Sequence, residues 1–421
     1  MATVSTAAPS APALLSPGRP GYRRLSLALF VAGIATFALL YSTQALLPAI
    51  SDGLRVSPAD ASWTVAAATG GLAVAVVPLS ALSERFGRRS MMTASLVVAV
   101  AVGLAVPFAP NLALLVVLRA VQGAALAGLP ASAMAFLAEE VEGRALVSAI
   151  GLFVAGNSIG GMSGRIFTGW ISQAWGWRAA LLAVGVAAVA CALVFRAMVP
   201  TPHRFTPRPL SPRGFARTVG GHLADPLLLR LYGIGALFMV VFGGVYTVIG
   251  YRLTGAPFGL PQGIAGSVFV VYLVGTFASA SSGRVVAALG RRGALYAALS
   301  TTAAGLLVTL VDSLAAVVVG LVLITAGFFT GHAVASSSVS RTATHGRAQA
   351  SALYQAAYYL GSSAGGAIGA AAFHSAGWAA TVAMGLAAMA GVAGLTLYGT
   401  AAARRAARRA GAAEAAGAPG R

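Results

Sequence analysis

About twelve runs of roughly 20 mainly apolar residues dominate this chain, and each is long enough to cross the hydrocarbon of a bilayer. They fall at approximately 25–49, 62–82, 91–109, 112–137, 146–171, 177–198, 229–251, 264–286, 293–311, 314–339, 347–373 and 377–399. In lipid every backbone N–H and C=O must be satisfied within the protein, so runs of this length read as helices. Of 421 residues, 58% are hydrophobic and 9% charged. A soluble domain carries about 25% charged residues, so a cytosolic globule is excluded. High hydrophobicity excludes a disordered chain, and a single cysteine, Cys191, excludes a disulfide scaffold. The predicted fold class is an all-α membrane protein of twelve transmembrane helices in two pseudo-symmetric six-helix bundles.

Residues 199–228 interrupt the series. They are polar and carry Pro200, Pro202, Pro207, Pro209 and Pro212, and their backbone would lack partners in lipid. The predicted division is a tail at 1–24, a bundle at 25–198, a linker at 199–228, a second bundle at 229–399 and a tail at 400–421. Residues 51–61 are the other long connector. All 28 basic residues are arginines, and the net charge is +19. With the N-terminus cytoplasmic, 23 of them fall in cytoplasmic tails, loops or helix ends. Arg55, Arg178 and Arg252 are external, and Arg119 and Arg165 lie inside spans. This asymmetry is the positive-inside pattern. It predicts a multi-pass membrane protein, both termini cytoplasmic, with span 1 as an uncleaved signal-anchor. The charge is placed to meet anionic lipid, not nucleic acid, which would need one basic patch. The arginines at 404, 405, 408 and 409 are expected on a frayed helix end followed by disorder.

The two halves carry related strings in the same order. Ser80–Arg89 follows span 2, and Gly283–Arg292 follows span 8; both end Gly-Arg-Arg. Gly156-Asn157-Ser158-Ile159-Gly160-Gly161 in span 5 matches Gly361-Ser362-Ser363-Ala364-Gly365-Gly366 in span 11, and Gly176-Trp177 matches Gly377-Trp378. Three matches at nearly one offset indicate a duplicated six-helix unit. Such repeats rock about a solute site near the midplane.

These residues resemble the major facilitator superfamily. Gly87, Arg88 and Arg89 are similar to the end of its first signature, with Glu84 for the usual Asp and Ser80 for the first Gly. Arg119, Gln122 and Gly123 are similar to its span-four Arg-x-x-Gln-Gly signature. Gly156, Gly160 and Gly164 are similar to its antiporter signature, although Gly161 replaces the proline and Arg165 the last glycine. The resemblance covers residues 25–400 and points to the twelve-helix drug:proton antiporter group, in particular YnfM-like and arabinose-efflux-like permeases. Ala35–Tyr41, Gly156–Arg165 and Tyr358–Ser363 carry that likeness. It implies the major facilitator fold and solute transport, commonly proton-coupled efflux.

The candidate residues divide by role. Glu84, Gly87, Arg88 and Arg89, with Gly290, Arg291 and Arg292 in the second half, read as a cytoplasmic latch or as charged turns. Ala287 stands where the second half would need the acid, so a charged latch would be one-sided. An arginine inside a span must face the bundle and find partners. Arg119 either rests on backbone carbonyls and Gln122, or tunes an acid or holds an anionic group. Arg165 either binds or snorkels outward. Gly156, Gly160 and Gly164, with Gly151, have the small-xxx-small spacing of close helix packing; Gly161 in place of proline predicts an unkinked span 5. His332 is a packing residue or a proton carrier. Tyr41, Gln44, Asn157, Tyr246, Gln355 and Tyr358 are candidate substrate contacts, because the resemblance implies that spans 1, 4, 7 and 10 line the cavity beside spans 2, 5, 8 and 11.

Every acid (Asp52, Asp60, Glu84, Glu139, Glu140, Glu142, Asp225, Asp312 and Glu414) falls in a loop, tail or helix end. Either Glu139, Glu140 or His332 couples protons, or transport is not proton-driven. The arginines and His332 without a buried acid suggest a cavity tolerant of anions. There is no metal cluster, nucleophile triad or phosphate loop in the sequence, so no enzyme, metal or cofactor is expected. The expected partners are a small-molecule substrate, protons and the lipid bilayer, with the protein monomeric. The leading expectation is proton-coupled efflux by alternating access. The rivals are a facilitator or exchanger for a sugar or organic anion, and a non-transporting sensor.

Overall fold

A computed structural model describes residues 14–18, 20–202 and 211–417. Most of the expected N-terminal tail, the middle of the linker and the last four residues lie outside that range, as do the side chains of the C-terminal arginines. Nine long apolar helical stretches are present among the described residues: Gly21–Leu54, Pro58–Phe86, Arg88–Phe108, Leu112–Glu140, Gly143–Met198, Pro226–Thr254, Gln262–Val308, Leu314–Thr342 and Arg347–Thr400. Three of them are broken by a glycine with positive φ, at Gly176 (φ 82°), Gly290 (φ 68°) and Gly377 (φ 69°). Glycine takes that conformation without a Cβ clash. Dividing the three at these residues gives twelve spans, numbered 1 to 12 in chain order, in two sets of six. The first and last spans therefore have their chain ends on the same face, here called the terminal face; the opposite face is the far face.

Helix ends follow local chemistry. Span 2 opens on a capping box, Ser57 with Asp60, and has Pro58 in its first turn. Asn111 caps span 4 through Leu114 N–H. Asp225 caps span 7 through the amides of Leu227 and Leu228. Thus two of the acids that the sequence placed at helix ends satisfy amides that would otherwise be orphaned. The linker is not wholly irregular: Pro212–Ala224 is a helix capped by Ser211. At the other chain end the helix continues to Gly417, beyond the fraying expected after residue 400.

Span 1 is not one helix. The α-helix ends at Leu40, a 3₁₀ turn covers Gln44–Leu46, and α-helix resumes over Leu47–Leu54. Pro48 accounts for the interruption, because its ring has no N–H and crowds the carbonyl four residues earlier. Pro130 similarly follows a break at Ala127 in span 4. Span 5, by contrast, runs through Gly161 without a break.

The duplication is visible in packing. Cβ atoms built on Gly156, Gly160 and Gly164 would lie 2.2, 2.3 and 2.9 Å from the backbone of Phe30, Ile34 and Ala38 in span 1. In the second half, Gly361, Gly365 and Gly369 meet the backbone of Ala236, Val240 and Gly244 in span 7 at 2.3, 2.3 and 2.8 Å. Spans 1 and 5 therefore touch backbone to backbone, as do spans 7 and 11. Gly151 faces open space and does not belong to the stripe. Gly160→Ala forces a methyl into the Ile34 backbone. It is expected to cost about 1–3 kcal/mol, read as a lowered thermal midpoint of the purified protein, with Gly151→Ala unchanged.

Candidate functional site

A cavity of about 520 Å³ lies between the two halves. Phe37, Tyr41 and Gln44 of span 1 and Asn157, Gly161 and Arg165 of span 5 face Phe242 of span 7, Tyr272 of span 8, Phe328 and His332 of span 10, and Gln355 and Tyr358 of span 11. Seven of the nine residues proposed from sequence to bind substrate are thus brought together: Tyr41, Gln44, Asn157, Arg165, His332, Gln355 and Tyr358. Tyr41 and Gln44, three residues apart, lie in the interrupted stretch of span 1 and both face the cavity.

Arg119 and Tyr246 do not line the cavity, contrary to expectation. Arg119 is fully buried. Its Nε donates to the Thr64 carbonyl at 3.0 Å and Nη1 to the Leu39 carbonyl at 2.8 Å. Further hydrogen bonds reach Ser42 Oγ at 3.3 Å, Gln122 Oε1 and the Leu40 carbonyl. Gln122 Nε2 then donates to Ala99 in span 3 at 3.1 Å. Leu39 and Leu40 are the last residues of the interrupted helix; the Leu39 carbonyl also accepts from Ser42 N–H at 3.3 Å and Ser42 Oγ at 3.0 Å, whereas no backbone donor among the described residues reaches that of Leu40. Arg119 reaches both carbonyls and ties span 4 to spans 1, 2 and 3. Tyr246 is withdrawn from the cavity by its hydroxyl, which lies 2.6 Å from Thr325 Oγ1.

Arg165 is a different case. It is 2% exposed, lines the cavity and stacks over Tyr41 at 4.1 Å. The rings of Phe269 and Tyr272 each lie 5.0 Å from its guanidinium carbon. Its Nε donates to Gln44 Oε1 at 2.7 Å. His332 also lines the cavity, with Tyr354 Oη 2.9 Å from Nδ1 and the Tyr358 ring 4.7 Å away. Phe242, Phe269, Tyr272, Phe328 and Phe329, at or beside the cavity, were not among the residues expected from sequence. Phe238, Phe242 and Tyr246 recur every four residues along span 7, a hint that periodicity in an all-apolar helix could not rank.

Toward the terminal face the cavity extends along Val154 and Ser158 of span 5, Ser279 and Ser282 of span 8, and Ser336 of span 10. At the far face the halves are laced together. Gln44 Nε2 donates to Thr247 Oγ1 at 3.3 Å. Tyr251 Oη donates to the Leu47 carbonyl at 2.9 Å, so its 2.5 Å contact with Ser51 uses the serine proton. Gln262 Nε2 donates to the Ala45 carbonyl, and Gly263 N–H to Gln173 Oε1 at 2.9 Å. Gly169 and Gly266 let spans 5 and 8 close up beside these bonds.

At the terminal face, Arg88 is the centre of the proposed latch. Its Nε and Nη2 both lie 3.1 Å from Glu139 Oε1 of span 4, whereas Glu84 is 4.0 Å away. Ser83 Oγ accepts from Nη1 at 2.5 Å. Gly87 (φ 94°) permits the turn that aims Arg88. Arg89, Arg291 and Arg292 form no ion pair among the described residues, and Gly290 serves as the break between spans 8 and 9. The main pairing therefore runs to Glu139, not Glu84.

The Major Facilitator Superfamily profile matches residues 25–279. The chain is 40% identical over 352 residues to an uncharacterized MFS-type transporter, YybF of Bacillus subtilis, covering 84% of this chain and 87% of that protein. It is 36% identical over 361 residues to the inner membrane transport protein YnfM of Escherichia coli, covering 86% and 87%. Among solved structures it is similar to a bacterial homolog of the human lysosomal transporter Spinster, with a TM-score of 0.71 at 15% identity, over 92% of this chain and 98% of that one.

Two outcomes follow from this geometry. Glu139→Gln should lower solute flux more than Glu84→Gln, with membrane insertion of both unchanged by fluorescence of a fused reporter. Tyr251→Phe removes two hydrogen bonds, each worth about 0.5–1.5 kcal/mol. In a Cys191→Ser background it should speed labelling of a cysteine at Gly250 by a water-soluble thiol reagent about fivefold or more.

Proposed function

This chain belongs to the Major Facilitator Superfamily, and from that premise we propose that it is a secondary transporter exporting a small organic solute across the bacterial inner membrane in exchange for protons. The observation that carries the reading is the cavity between two duplicated halves, laced shut at the far face and extended toward the terminal face. Arginine placement sets the terminal face in the cytoplasm, which makes this the inward-open state. Rocking the halves about the span 1–7 contacts would break the lacing and close the opposite end.

His332 is the proton carrier in this reading. It alone among the cavity-lining residues is a His, Asp or Glu, and histidine changes charge near neutral pH. A second reading has one specific observation behind it. The lining holds Arg165 and no carboxylate, which favours a facilitator or exchanger for an organic anion that needs no proton.

Proteoliposomes with an imposed pH gradient separate the two. Given a panel of cationic drugs, sugars and organic acids, at least one solute should accumulate against its gradient when the pH difference is present. His332→Gln should abolish that accumulation while leaving solute–solute exchange intact. Exchange with no response to pH in the wild type would transfer the assignment to the second reading, and no flux of any kind would end both.

A further inference from the structure

Arg165 permits a narrower statement about what the cavity takes. Its side chain is 2% exposed, and a guanidinium keeps its charge and five N–H donors in any protein setting. Nε is held by Gln44 at 2.7 Å and Nη1 by the Gly161 carbonyl at 2.5 Å. Nη2 makes no hydrogen bond among the described residues, and the side chain borders the cavity. None of the ion pairs among those residues includes Arg165. Arg119 has five acceptors on protein atoms, so the contrast lies within one bundle. A buried charge without a counter-charge is unfavourable. The rings of Tyr41, Phe269 and Tyr272 offset part of that through cation–π contact and shield the group from water.

A second observation points the same way. Tyr272 is 8% exposed, borders the cavity, and its hydroxyl is buried without a partner. Buried hydroxyls ordinarily find one. This hydroxyl is a free donor on a residue whose ring also packs against Arg165. Beside Tyr272, its ring centroid 5.2 Å away, Phe242 stacks on Phe328 at 4.0 Å, and Phe329 meets Phe328 edge-on at 5.1 Å. The cationic, donor-bearing part of the site therefore adjoins an aromatic wall.

We propose that Arg165 and Tyr272 form an anion subsite that receives the carboxylate of a small organic monoanion, whose flat apolar body lies against the Phe242–Phe328 wall. A single cation without an acid beside it fits one negative charge and repels cationic compounds. Charge-assisted hydrogen bonds are the stronger kind, and here they form away from water. Gln44 holds the guanidinium in place and also reaches Thr247 across the halves, so the subsite adjoins the far-face closure. The proposal rests on the cavity being the transport site.

Binding to the purified full-length protein in lipid nanodiscs tests it without any gradient. The probes are 2-naphthoate, its neutral amide and 2-naphthylmethylammonium, measured by calorimetry. The carboxylate should bind about 10- to 100-fold more tightly than the amide, and the ammonium should not bind. Tyr272→Phe removes a hydroxyl that no protein group uses. It should lower carboxylate affinity about tenfold, more than it lowers amide affinity, with no loss of thermal midpoint. Arg165→Gln should erase the carboxylate–amide difference; if that variant does not fold, the probe series and Tyr272→Phe decide. Equal binding of carboxylate and amide, preference for the ammonium, or an unaltered Tyr272→Phe would overturn the subsite. Those results with pH-driven flux of other solutes intact would leave the transport reading standing. Carboxylate discrimination without flux of any solute would do the reverse.

Discussion

The architecture depends on how the protein satisfies a helix that stops in the middle of its first span. Of the two carbonyls that end it, Leu39 has Ser42 as a donor but Leu40 has none from the backbone, and an unpaired amide group in hydrocarbon costs several kcal/mol. Arg119 reaches both of them from span 4. With the Leu40 carbonyl met, residues 41–46 can leave α geometry within the span, and Tyr41 and Gln44 of that stretch line the cavity. Gln44 in turn holds Arg165, and Tyr41 covers it. One fully buried arginine thus makes the local irregularity tolerable, and the irregularity positions the second arginine. The two residues have similar chemistry and opposite roles: Arg119 is surrounded by acceptors on the protein, and Arg165 is not.

The duplicated halves share their packing but not their polarity. The glycine stripes of spans 5 and 11 meet spans 1 and 7 at corresponding depths. Yet span 7 is a continuous helix over Pro226–Thr254, and the position 205 residues after Arg165 is Ala370, which is fully buried. Tyr246, 205 residues after Tyr41, pairs with Thr325 and forms part of an aromatic cluster with Phe242, Phe269 and Tyr272. The first half supplies the cation and the broken helix; the second supplies most of the rings. The backbone contacts relate the halves as equivalents, while the difference in side chains gives the cavity two chemically distinct walls.

Much of this was legible in the residues. Span count, the repeat, the glycine stripe and seven cavity residues followed from apolar length, string offsets and family likeness. What was hidden has physical reasons. The helix break comes from Pro48, which acts at a distance along the chain, on the Gln44 carbonyl four residues upstream. Arg119 looked like a ligand-binding residue because its acceptors are carbonyls, which every residue carries and no sequence distinguishes. Tyr272 and Phe269 sit in a span that is apolar on most faces, so nothing along it marks the face that looks inward. Glu139 stood at the end of span 4 as a candidate for proton work; only the fold brings it to Arg88, 51 positions earlier.

The one- and two-residue reversals at Gly176, Gly290 and Ala376–Gly377 leave little slack between the helices they join. Spans 5 and 6, 8 and 9, and 11 and 12 are stiff hairpins, so displacement at one leg must be transmitted as torque to the other. Spans 5, 8 and 11 border the cavity, whereas their companions 6, 9 and 12 contribute nothing to its lining. A change in the inner leg is therefore felt at the periphery, where acyl chains press on the outer leg. The thickness and lateral pressure of the surrounding bilayer thereby become part of the mechanical load on the solute chamber.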